Sequence, residues 1–106
     1  MDTKTTTLIS LLGETSSCLK TYNETHWSQW LLKSKRMLEA GKPEGVEHLV
    51  GAFGGMGSFN DLILNSRNGH TVSDNDTEEL NKKLNDYREK LTRLADQLKE
   101  EGVFEN

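Results

Sequence analysis

Four glycines lie within seven residues between Gly51 and Gly57, and they form the most distinctive segment of the sequence. Ser58 follows them, with Asp61 three residues later, at the spacing of a capping box that opens a helix. Backbone amides at such a helix start can hold an anion. On this interpretation an anion or small metabolite binds to Gly54, Gly55, Met56, Gly57, Ser58, Asn60 and Asp61.

A structural interpretation of the same segment is favoured over the binding one. Glycine supplies positive φ angles and lets two helices approach more closely than a Cβ atom allows. No Walker-type lysine follows Ser58, and the carboxylate of Asp61 would repel a phosphate. Met56 can equally be a plug into the core.

The remaining residues with catalytic or metal-binding chemistry lack the spacing that such sites need. None of His26, His48 and His70 has another His or Cys three or four residues away, as a helical metal site would require. Cys18 falls on the apolar face of a predicted helix, where a buried, inert thiol is expected. We therefore predict no catalytic residue, no metal and no cofactor, and a protein that is not an enzyme.

Acidic residues are concentrated in the last third of the chain. Before residue 74 there are seven Lys/Arg and seven Asp/Glu, and from residue 74 onward there are six and ten. An acidic face repels the phosphate backbone of nucleic acids and complements a basic protein surface. The predicted partner-binding residues are Asp74, Asp76, Glu78, Glu79 and Asp86, although acids in a first helical turn also simply complement the helix dipole.

Apolar periodicity predicts an all-α fold, a compact bundle of about five helices in one domain over residues 1–106. A glycine-rich corner is expected between the third and fourth helices. Asn23 or Thr25 can cap the second helix, and Gly41 closes it. The predicted helices cover about residues 5–22, 25–40, 43–53, 58–63 and 77–101.

The last helix carries Leu80, Leu84, Tyr87, Leu91, Leu94 and Leu98 at heptad-like spacing. This apolar stripe predicts packing along the first two helices or pairing with a second copy, so a structural homodimer is possible. Residues 65–76 are rich in turn formers and predict a long loop or a short hairpin. Trp27 and Trp30 share one helical face, which is typical of core anchors.

The single cysteine cannot form an intramolecular disulfide, and the chain opens without a signal-like leader. These features predict a reducing, cytoplasmic location. The longest apolar runs are a few residues, whereas a membrane-spanning helix needs about 20. No membrane association is expected.

The pattern W-x-x-W-L at Trp27–Leu31, followed by F-G-G-M-G-S-F-N-D-L at Phe53–Leu62, resembles a family of small bacterial proteins of undetermined function. The resemblance covers about residues 27–64. It implies a small cytoplasmic bacterial domain and transfers no catalytic residue.

Small size, an acidic C-terminal third and the lack of catalytic patterns favour an interaction protein. The hypothesis is a protein that binds and masks a partner with a basic surface, in the manner of an immunity protein that neutralises a toxin or of an inhibitor. The first alternative is a small-ligand or anion-binding module at the glycine-rich junction. The second is the structural homodimer.

Overall fold

The computed structural model describes residues 3–54 and 56–101. Within these residues the chain forms four α-helices and two short 3-10 turns, and it contains no β-strand. The helices span Thr3–Thr21 (α1), Thr25–Glu39 (α2), Glu44–Val50 (α3) and Thr77–Glu100 (α4), and the 3-10 turns span Phe59–Asp61 and Ser66–Asn68. The predicted all-α class is confirmed, whereas the predicted count of about five helices is too high by one.

The turn between α1 and α2 is built by Asn23 and Glu24. Asn23 has a φ of +67°, and the amide of Glu24 donates to the carbonyl of Leu19 over 2.8 Å, which closes α1 in a Schellman motif. The Glu24 carboxylate then accepts from the amide of Trp27 over 3.1 Å and caps α2. The cap of α2 is therefore Glu24, rather than the predicted Asn23 or Thr25.

Two small residues let α1 and α2 pack closely. Ser16 Oγ donates to the carbonyl of Ser28 over 2.8 Å, and Ser28 Oγ donates back to the carbonyl of Ser16 over 2.9 Å. Both serines are buried. Each hydroxyl thus satisfies a backbone carbonyl of the other helix, so the buried contact leaves neither hydroxyl without a partner.

The crossing of α2 and α3 depends on Gly45. A Cβ atom at this position would lie 2.8 Å from Leu38 Cγ and 3.0 Å from the carbonyl oxygen of Ser34. Gly41, as predicted, closes α2: the amide of Lys42 donates to the carbonyl of Met37 over 2.9 Å. The close helix contact expected of glycine is therefore found at Gly45, outside the glycine-rich segment.

The predicted fourth helix is a single 3-10 turn, Phe59–Asp61. Leu62 has extended backbone angles, with φ −65° and ψ 129°. Arg88 Nη1 donates to the carbonyls of Phe59 and Leu62 over 2.7 and 2.9 Å. Both carbonyls are thereby hydrogen-bonded to α4, and the chain continues from the turn in an extended conformation.

The long helix α4 matches its prediction and spans about 36 Å at 1.5 Å per residue. Its apolar stripe packs within this chain against α1 and α3, rather than along α1 and α2 as predicted, and it is buried except for the half-buried Leu94. The described part of the chain contains no helix long and apolar enough to cross a bilayer. Residues 65–76 form a loop that includes the 3-10 turn Ser66–Asn68, and they do not form a hairpin. Because the stripe is already covered, a homodimer zipped along it would have to displace intramolecular packing.

Candidate functional site

The glycine-rich junction connects α3 to the turn Phe59–Asp61. Gly54 has a φ of +151° and Gly57 a φ of +78°, and a Cβ atom at either would meet no atom within 4 Å. Gly55 lies outside the described residues. The amide of Phe59 donates to the carbonyl of Ala52 over 2.8 Å, which closes the loop at its base. Glycine is therefore required here by backbone conformation and not by crowding.

The side chain of Asp61 forms a hydrogen bond within the glycine-rich junction. Its Oδ2 accepts from the amide of Gly57 over 2.9 Å. This is the carboxylate half of the predicted capping box, displaced by one residue, since a capping box would use the amide of Ser58. An amide that could have met an external anion is thus already bound to a carboxylate of the same chain.

Ser58 does not cap the turn. Its side chain makes no cap hydrogen bond, and its Oγ is buried without a partner among the described residues. Phe59, the next residue, is fully buried against Trp27 and Phe53, with ring centroids 5.5 Å away in each case. The hydroxyl of Ser58 is buried because Ser58 directly precedes Phe59, whose ring packs in the core.

Met56 stands at the tip of the junction and is 99 % exposed. It is therefore not a core plug. Asn60 is also exposed, and it borders a groove along α4 that includes Arg88. Burial lowers the pKa of Arg88, and the nearby Asp61 opposes that shift. Of the described residues predicted as an anion site, Ser58 is buried and the others are exposed: Gly54, Met56, Gly57, Asn60 and Asp61.

The predicted partner-binding acids divide into two groups. Asp74, Asp76, Glu78 and Glu79 lie together where the loop enters α4, and all are exposed; we call these four residues the acidic corner. Ser66 Oγ donates to Asp74 over 3.4 Å. Asp76 is the residue before α4, but its carboxylate accepts from Ser73 Oγ over 2.8 Å and makes no capping hydrogen bond to the helix.

Asp86 lies apart from the acidic corner. It follows Glu79 by seven residues, about 10 Å along the helix axis. Its carboxylate pairs with Lys90 Nζ at 2.9 Å. The helix α4 contains six acidic and six basic residues, so its length is balanced in charge. The excess of four acids in the last third of the sequence lies outside α4, with Asp74 and Asp76 before it and Glu101 and Glu105 after it.

An exposed apolar residue, Ile63, comes just before the point where the chain is hydrogen-bonded to the second turn of α4. Asn81 accepts from the amide of Leu64 and donates to the carbonyl of Leu64, each over 2.8 Å. Leu64 is fully buried, whereas Ile63 before it is 56 % exposed. The double hydrogen bond therefore fixes Ile63 beside the first turns of α4.

A second cluster that the sequence reasoning missed ties the loop to the α1–α2 turn. We call it the clasp: residues 22–24 and 69–71. His70 Nδ1 accepts from the amide of Asn65 over 3.0 Å, so the neutral imidazole carries its proton on Nε2 and donates to Glu24 Oε1 over 2.9 Å. The amide of Thr71 donates to the carbonyl of Tyr22 over 2.9 Å, and Asn23 Nδ2 donates to the carbonyl of Gly69 over 3.1 Å.

Aromatic residues of α2 and α3 form a third cluster. Trp30 stacks on His48, with centroids 4.5 Å apart and planes 14° from parallel, and Trp30 Nε1 donates to the carbonyl of His48 over 2.8 Å. Burial, and to a lesser degree Lys33, lowers the pKa of His48. Trp27 and Trp30 are only partly buried, so they anchor the edge of the core.

The remaining candidates for nucleophilic or metal-binding roles are Cys18 and the His, Asp and Glu side chains. Burial raises the pKa of the Cys18 thiol, opposed by Lys83, and the neutral thiol is a poor nucleophile. Across residues 3–54 and 56–101, no three His, Cys, Asp or Glu side chains come together as a metal-binding group.

Comparison with known proteins identifies a family. The model of a family described as "Domain of unknown function (DUF6966)" matches residues 20–73, which include the segment 27–64 of the sequence resemblance. No curated protein and no solved structure matches the chain. The matched range contains the junction and both halves of the clasp, and it ends one residue before Asp74. Since the match covers just over half of the 106 residues, the chain belongs to this DUF6966 family.

Proposed function

We propose that the protein is a non-enzymatic interaction protein that binds and masks another protein with a basic surface. The observation that supports the proposal is the exposed Ile63, whose neighbour Leu64 is hydrogen-bonded to Asn81, two residues after the last acid of the corner. An apolar residue bordered by charges is the arrangement of a protein-binding surface, in which the apolar part is desolvated and the charged rim orients the partner.

The charge of the corner defines the partner. Residues 74–79 contain four carboxylates and no Lys or Arg, and none of Asp74, Asp76 and Glu79 forms an ion pair within the described chain. Glu78 lies 3.5 Å from Lys82 on the exposed face. Carboxylates without local cations attract a basic partner and speed its association. A nucleic-acid-degrading toxin with a basic cleft fits this description, so an immunity or inhibitor role is the specific form of the proposal, in a cytoplasmic setting.

Asp86 is left out of the proposed surface because it lies about 10 Å along α4 from Glu79 and pairs with Lys90 at 2.9 Å, a shorter distance than the 3.5 Å between Glu78 and Lys82. The junction is left out as an anion site because Asp61 already accepts from the amide of Gly57. The homodimer along α4 is left out because its apolar stripe is buried in the same chain.

Affinity capture from the source cells, followed by mass spectrometry and then by binding of the purified partner, tests the proposal. The test variant combines Glu78→Gln and Glu79→Gln with Ile63→Ser. A control, Glu89→Gln with Asp96→Asn, removes the same charge from the middle and far end of α4.

We expect a stoichiometric partner with a basic surface, whose affinity falls at least about tenfold in the test variant and little in the control. Binding should also weaken as salt is raised. Recovery of no stoichiometric partner, or equal binding by the test and control variants, would refute the proposal.

A further inference from the structure

A cleft of about 580 Å³ opens on one face of α2, where α3 packs against it. It lies within the family-matched range and is separate from the acidic corner. None of the described residues that line it is acidic. The polar and aromatic lining comprises His26, Gln29, Trp30, Lys33, Arg36 and His48.

Lys33 and Arg36 are unpaired cations in this cleft. Neither forms an ion pair with any described residue, whereas Lys35, between them in the sequence, pairs with Glu39 at 3.0 Å. Lys33 and Arg36 are three residues apart on α2, a spacing that puts their Cβ atoms about 5–6 Å apart on one helical face. Two positive charges therefore line one opening, and no described residue supplies a counter-ion to either.

The cleft has a rigid aromatic side formed by Trp30 and His48. Their rings are stacked, and the indole N–H is already used by the carbonyl of His48. The imidazole Nε2 is buried with no partner among the described residues. Because burial and Lys33 lower its pKa, His48 is neutral at physiological pH and adds a low-polarity wall beside the two cations. Such a wall strengthens the field of nearby charges by displacing water.

We propose that this cleft binds a small phosphomonoester through Lys33 and Arg36. The double negative charge of the phosphate matches the two cations. Arg36 offers a planar fork of N–H donors to two phosphate oxygens, and Lys33 supplies a compact charge to the third. The site is independent of the proposed protein partner, since it shares no residue with the acidic corner.

Titration with phenyl phosphate and with inorganic phosphate, followed by calorimetry and by tryptophan fluorescence, tests this site. The test variant is Lys33→Met with Arg36→Met. The control is Lys20→Met with Lys99→Met, which removes the same charge at two exposed positions elsewhere, on α1 and α4. All titrations are matched in ionic strength with sodium chloride.

We expect saturable binding that perturbs tryptophan fluorescence, weakens at least about tenfold in the test variant, and changes little in the control. Equal binding by the two variants, or a response reproduced by sodium chloride alone, would overturn the site. A phosphoserine peptide that binds much more tightly than phenyl phosphate would overturn the small-molecule assignment. Because the substituted positions are exposed, circular dichroism should show both variants folded.

Discussion

Replacing His70 with alanine removes the side chain at the centre of the clasp. His70 is 7 % exposed, donates to Glu24 and accepts from the amide of Asn65. A hydrogen bond to a charged group contributes about 1.5–3 kcal/mol, and a buried polar group left without a partner costs about 1–3 kcal/mol. We therefore expect His70→Ala to lower the free energy of unfolding by about 3–5 kcal/mol, a large part of the roughly 5–15 kcal/mol typical of a domain.

Urea unfolding followed by far-ultraviolet circular dichroism measures this loss. The control is His26→Ala, which removes the same side chain from an exposed position on α2 and should cost less than about 1 kcal/mol. The m-value should be unchanged if the variant unfolds in one step like the native chain.

A double-mutant cycle with Glu24→Gln separates the ion-dipole contact from the rest of the clasp. The amide oxygen introduced by this substitution can still accept a hydrogen bond but carries no charge, so the coupling between positions 24 and 70 should be about 1–3 kcal/mol. The reasoning is refuted if His70→Ala costs no more than His26→Ala, or if the cycle shows no coupling.

Three further predictions concern the junction and the aromatic cluster. Gly57→Ala should lose about 1–2 kcal/mol of stability in urea unfolding, because alanine is strained at a φ of +78°. Ser58→Ala should keep or raise the melting temperature, because it removes a buried hydroxyl that has no partner among the described residues. His48→Phe keeps a ring on Trp30 but cannot titrate. The lowered pKa of His48 means that the unfolded chain binds its proton first, so native stability should fall as pH drops below about 6.5 and should fall less in His48→Phe.

Unchanged or raised stability in Gly57→Ala would show that this position does not need its positive φ. A clear loss of stability in Ser58→Ala would mean that the hydroxyl has a stabilising contact. Parallel pH profiles of the native protein and His48→Phe would exclude His48 as a source of the pH dependence.

Helices could be predicted where local periodicity determines the structure. The stripe of α4 and the glycine closing α2 depend on residues a few positions apart, and both were found as predicted. The prediction of a fourth helix was wrong: the segment is a 3-10 turn followed by an extended residue, and its carbonyls at Phe59 and Leu62 accept from Arg88, more than 25 residues away. A contact between residues so far apart in the sequence cannot be predicted from a local sequence pattern.

The candidate surfaces were predicted only in part, for the same reason. The acids at the start of α4 are adjacent in sequence, so the acidic corner could be recognised, but the pairing of Asp86 and the neighbouring Ile63 required the folded chain. The clasp joins residues 46 positions apart. The cleft that contains Lys33 and Arg36 forms where α3 crosses α2. This crossing depends on Gly45, which the sequence pattern did not distinguish from the other glycines.

The clasp has a further consequence for how this segment relates to its surroundings. Its two halves lie near the two ends of the family-matched range, so residues 20–73 enter and leave at neighbouring points. A segment whose ends meet can be inserted into a host chain without separating the elements on either side. Here those elements are α1 and α4, which pack against each other. The clasp thus joins the two ends of this range by the chain's own hydrogen bonds, between the end of α1 and the start of α4 in the sequence.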